Sequence, residues 1–150
     1  MTPVWFIHDL AEVLAEGDHT VIEMLAPPGD RPPLHVHRDS DEGFYLLEGE
    51  VSFWVGDAEH RIGPGDFVLG PKGVPHTYRV EGETPARFIV TSSTGAFAAF
   101  VKAYGEPAPR RELPERTPPD VERLVRLAAE HGIDLLGPPG MLPAELKAAA

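Results

Sequence analysis

Proline and glycine divide the first ninety residues into short apolar runs, and this spacing limits the fold more than any other feature. Proline lacks the backbone donor and fixes φ, and glycine weakens any regular element it interrupts. Outside residues 4–16, an ordinary helix of about 10–14 residues does not fit between such breaks. Strands do. Residues 4–7, 19–26, 34–37, 44–47, 51–55, 58–62, 67–69, 76–80 and 87–91 read as strands from their apolar content and spacing. The segment Ala26-Pro27-Pro28-Gly29-Asp30-Arg31-Pro32-Pro33 can only be a loop. Glu48-Gly49-Glu50, Gly56-Asp57 and Gly63-Pro64-Gly65-Asp66 read as turns, the second as a two-residue hairpin. Many short strands with regular turns predict an all-β antiparallel barrel or sandwich.

The last third changes period. Residues 95–104 place Phe97, Phe100, Val101 and Tyr104 at helical spacing. This helix is expected to pack on the barrel or to lid its mouth. Thr117-Pro118-Pro119-Asp120 reads as a helix start, with Thr117 as cap and Asp120 as an acid in the first turn. Val121, Leu124, Val125 and Ala128 would then form one apolar stripe, ending at His131-Gly132. Residues 105–117 read as a proline-rich linker. The expected organisation is a barrel over residues 1–92 and a helical extension over 93–150 on the same domain.

At 150 residues the chain suits one domain. Its formal charge of −11 repels phosphate backbones, so nucleic acid is not an expected partner. It has no cysteine, so a bound metal must take nitrogen and oxygen ligands. Neither a signal peptide nor a membrane span is apparent, and the expected location is the cytoplasm.

His35-Val36-His37 lies on an expected strand, where residues two apart share a face. Glu42 follows after a four-residue turn and His76 lies on a later strand. Each piece alone has an ordinary reading as surface or strand-start polarity. Together, three imidazoles and a carboxylate suit one divalent transition metal: Mn, Fe, Co, Ni, Cu or Zn. By alternation, Phe44 and Leu46 share the face of Glu42, and Tyr78 and Val80 that of His76. These four either line an apolar chamber or fill a small barrel core. His8, His19, His60 and His131 read as surface or boundary residues. Trp5, Trp54 and Tyr45 suit either the core or a subunit contact.

The spacing Gly29, five residues, His35-Val36-His37, four residues, Glu42, six residues, Gly49 resembles the first cupin motif at every marked position. Gly65, five residues, Pro71-Lys72-Gly73, two residues, His76 resembles the second. That motif usually ends in Asn after three further residues, where this chain has Val80. The resemblance covers about residues 4–92 and implies a jelly-roll (double-stranded β-helix) barrel with His35, His37, Glu42 and His76 on the metal. It is nearest in pattern to small cupins resembling quercetin 2,3-dioxygenase, and it implies a homodimer.

A dioxygenase cleaving a flavonol-like or other enolic or aromatic molecule with O₂ is the leading expectation, with Glu42 as catalytic base. A lyase, decarboxylase, isomerase or polyketide cyclase would use the same metal as a Lewis acid. For an anionic substrate such an enzyme would need an interior cation, for which Arg31, Arg79 and Arg87 are candidates without an inward assignment. A non-catalytic small-molecule-binding protein is the third reading.

Overall fold

The structure is a computed structural model that describes residues 2–149. Its strands are β1 (Val4–Phe6), β2 (Asp9–Ala15), β3 (Thr20–Ala26), β4 (Pro33–His37), β5 (Glu42–Glu48) and β6 (Val51–Val55). They continue as β7 (Ala58–Ile62), β8 (Phe67–Gly70), β9 (His76–Val80) and β10 (Ala86–Ser92). Helix α1 (Ala96–Tyr104), strand β11 (Glu106–Pro107), helix α2 (Val121–Glu130), strand β12 (Ile133–Pro139) and helix α3 (Pro143–Ala149) follow. Among the described residues the strands form two antiparallel sheets. One runs β11-β1-β2-β3-β10-β5-β8 and the other β12-β4-β9-β6-β7.

Alternation sets the core. In β3 and β10 every second residue is buried, so Ile22, Met24, Phe88 and Val90 turn inward while Glu23 and Arg87 pair outside. The interior is an aromatic layer: Phe44 lies 4.7 Å from Phe53, and Tyr78 lies 5.3 Å from Phe53 and 5.6 Å from Phe88. Gly49 turns between β5 and β6 at φ +92, and a Cβ there would come within 2.9 Å of Ala86 Cα. Only glycine meets both demands.

The C-terminal third differs from its sequence reading in several ways. Helix α2 is capped by Asp120, whose side chain accepts from Arg123 N at 3.1 Å, and not by Thr117. The two prolines explain the shift, because a residue before proline is steered away from helical ψ. The buried stripe of α2 is Leu124 and Ala128, while Val121 and Val125 stay exposed at 61% and 44%. Its apolar face is thus narrower than the sequence pattern. Residues 133–139 form a strand that the sequence reading did not contain, and β12 pairs with β4. The proline-rich stretch runs along the barrel, with β11 on β1 and Trp5 Nε1 donating to the Glu112 carbonyl at 2.8 Å.

Candidate metal centre

Strand β4 lies between β12 and β9 and presents both histidines of the His-x-His pair. His35 sits directly opposite His76 in the β4–β9 register. Glu42 opens β5 in the other sheet and is 2% exposed. His37 and His76 are equally enclosed, and His35 is half-buried. One donor atom from each of the four residues lies within 4.8 Å of all the others. Gly70 makes the close approach possible, since a Cβ there would meet the His76 ring at 3.2 Å.

Two imidazoles are oriented by backbone carbonyls. His35 Nδ1 lies 2.8 Å from the Pro33 carbonyl, and His76 Nδ1 lies 3.3 Å from that of Val74. A carbonyl can only accept, so each Nδ1 donates, and in the neutral ring Nε2 keeps its lone pair. The Nε2 atoms of His37 and His76 lie 2.7 and 3.0 Å from Glu42 Oε2. His37 Nε2 is buried and, despite that closeness, makes no aligned hydrogen bond among the described residues. Buried lone pairs converging on one carboxylate oxygen are the arrangement a cation between them relieves. The donor set therefore fits one metal ion, and nitrogen and oxygen donors of this kind suit a divalent transition metal.

The electrostatics agree. Burial would raise the pKa of Glu42, yet the adjacent His37 and His76 hold it well below the usual carboxylate range. Burial disfavours charge on His37, but the Glu42 carboxylate outweighs it and raises that pKa. His35 is pushed down to about 3 by burial, then by His76 and His37. One carboxylate is thus kept ionised, and the His35 imidazole is kept neutral with its Nε2 lone pair available.

A cavity of about 70 Å³ opens beside the cluster. Phe44 and Tyr78 line it, as do His35, His37 and Glu42. Leu46 and Val80 do not. They are 1% exposed and packed as core, although Phe88, the strand partner of Leu46, does line the cavity. Helix α1 closes one side with Phe97, 5.9 Å from the His37 ring, and Phe100. From the C-terminal third, α2 and β12 add Leu124, Ile133 and Leu135.

Of the candidate interior cations, Arg87 pairs with Glu23 and Glu48 on the outside, and Arg79 pairs with Glu81 and lies over Trp54. Arg31 borders the cavity but is exposed. The sequence reading missed Asp9 and Asp30, buried carboxyls that also line the cavity. The signal for Asp9 was an acid on the same face of β2 as Ala11 and Val13.

A family model described as a cupin domain matches residues 22–92. The chain is 31% identical over 97 residues to quercetin 2,3-dioxygenase of Bacillus subtilis (strain 168), covering 65% of this chain and 28% of that protein. It is 35% identical over 74 residues to dimethylsulfoniopropionate lyase DddQ of Ruegeria pomeroyi, covering 45% and 36%. It thus spans well under two thirds of the length of either relative. The solved structure of TT1209 from Thermus thermophilus superposes with a TM-score of 0.55 at 31% identity, covering 58% of this chain and 84% of that one. Fold and family model agree that residues 22–92 form a cupin domain.

Proposed function

We propose that His35, His37, Glu42 and His76 hold one divalent transition metal and that the protein is a dioxygenase acting on a small enolic or aromatic molecule. The observation that carries this reading is a three-histidine, one-carboxylate cluster opening on an apolar, aromatic-walled cavity. Bound there, the metal would supply Lewis acidity, open positions for a substrate oxygen and, with a redox-active ion, a route to O₂ chemistry. The remaining work falls to the chain. Glu42 Oε2 accepts the enolic proton. Phe44 and Phe97 exclude water and hold a flat substrate against the cluster. The Pro33 and Val74 carbonyls keep His35 and His76 in register with it.

Cavity size narrows the substrate. At about 70 Å³ it falls far below the roughly 300–1,000 Å³ of pockets for drug-sized ligands. A single ring or a short enolic chain suits it. A three-ring flavonol would have to displace Phe97 and Phe100. Oxygen uptake by iron-, manganese- and nickel-loaded protein, with quercetin, catechol and acetylacetone as substrates, tests the reading. Uptake is expected with one of the two small molecules and slower or absent with quercetin. Bound metal without O₂ uptake from any of the three would overturn it.

A second reading, non-oxidative lyase or isomerase chemistry, is supported by the same small cavity and by the similarity to a lyase. Turnover of a carbonyl substrate under anaerobic conditions would select it. A homodimer is supported by the exposed apolar run of Tyr45, Phe67 and Leu69 at the β8 edge of its sheet. In sedimentation equilibrium Phe67→Asp is expected to be monomeric where the wild type is dimeric; a monomeric wild type removes the proposal.

A further inference from the structure

The cavity has a second polar end. Asp9, the first residue of β2, is 5% exposed, and its Oδ1 has no hydrogen-bond partner among the described residues. Asp9 lines the cavity together with Asp30, which is 4% exposed. Asp30 is fixed in the proline-rich loop: its N–H donates to the Pro27 carbonyl at 3.1 Å, and its carbonyl accepts from Val80 N at 3.0 Å. Its carboxylate faces His8 Nδ1 at 3.5 Å.

Burial, and then the neighbouring Asp30 carboxylate, push the Asp9 carboxyl well above its usual range, while the Tyr78 hydroxyl and Arg116 act in the opposite direction. Between this end and the metal centre the wall is apolar, with Met24, Phe44, Phe88 and Val90. A buried acceptor on a residue of the cavity wall is the kind of group native structures pair, and Asp9 Oδ1 has no hydrogen-bond partner among the described residues. While the Asp9 carboxyl is ionised, its missing partner must be a donor, because a carboxylate only accepts. A cation suits the place better than a neutral donor, because two enclosed carboxyls repel each other and a positive charge between them relieves both.

We propose that the Asp9–Asp30 carboxyl pair is a second recognition pole of the cavity, taking a hydrogen-bond donor, an ammonium before a hydroxyl, on a ligand whose other end reaches His35, His37, Glu42 and His76. The reach to the metal rests on the function proposed above. The donor pole rests on Asp9 and Asp30 alone. The ligand class is a short bipolar molecule with a metal-binding oxygen function, an apolar middle and an amino or hydroxyl terminus.

The test separates the two claims. Zinc-loaded protein is titrated calorimetrically with linear alkyl hydroxamates of increasing length, ending in methyl, hydroxyl or ammonium. Binding of the methyl series reads the metal centre. At one chain length the ammonium compound is expected to bind at least about tenfold tighter than its methyl counterpart, as befits a charge-assisted hydrogen bond, with the hydroxyl compound between them. Asp9→Asn, which keeps the shape, and Asp30→Asn are each expected to lose that gain. A methyl series that binds, with no ammonium gain at any length, or a gain that survives both variants, overturns the pole and leaves the metal centre standing. Should no hydroxamate bind, the metal reading fails. Butylammonium against butanol on the metal-free protein, followed by amide chemical shifts, then decides the pole. Ammonium-specific shifts at residues 9 and 30 that vanish in Asp9→Asn uphold it; their absence overturns it.

Discussion

Replacing His76 by alanine is expected to weaken binding of a divalent transition metal by more than about a hundredfold. Losing a partner that merely orients a ligand already costs about 10–100-fold, and His76 offers the donor itself. Its ring is 1% exposed and is aimed by the Val74 carbonyl, with Nε2 3.0 Å from Glu42. No other imidazole can take its place: His8 is held between Asp30 and the Thr117 carbonyl, and His131 reaches the Leu127 carbonyl. Metal content by mass spectrometry, with a chelator competition for affinity, reads the effect, and circular dichroism confirms the barrel. His35→Ala is expected to act in the same direction. Unchanged stoichiometry in both variants would refute the centre.

Glu42→Gln is expected to retain part of the metal and to lose about 10²–10⁴ of turnover, the usual contribution of a positioned general base. Glutamine keeps the volume and one oxygen near the cluster but cannot accept the substrate's proton at neutral pH. The carboxylate it replaces is held ionised by His37 and His76 against the burial that would neutralise it. Steady-state kinetics on variant and wild type matched for metal content separate proton transfer from metal loss. Equal kcat at equal occupancy would remove Glu42 as the base and leave it a ligand.

The barrel and the cluster were legible because both rest on local rules. Strand alternation puts His35 and His37 toward one side, and fixed turn lengths return Glu42 and His76 to them. The limits of legibility are physical too. Strand β12 carries Gly137, Pro138 and Pro139 and pairs with two register shifts, so no alternating pattern marks it. It forms because β4 offers it a partner, a fact of tertiary structure. Alternation also could not say how deep the cavity runs. Leu46 and Val80 are buried as expected, but as packed core that does not border the cavity, while Phe88 beside Leu46 does. The Val80 position, where the motif usually has Asn, pairs with Val51 in the core and leaves no polar atom there. Asp9 was hidden for the opposite reason, since a single acid at a strand start looks like an ordinary turn residue.

Strand β12 also imposes an order in time. It borders β4, the strand that bears two of the four clustered histidine and carboxylate side chains, yet it is synthesised about a hundred residues later. At about 5–20 residues per second, β4 waits on the order of ten seconds at the ribosome with one edge bare. Pairings so distant in sequence are also slow to close. The wall of the centre is thus finished late: until β12 arrives, the strand that carries His35 and His37 is held by β9 on one edge alone.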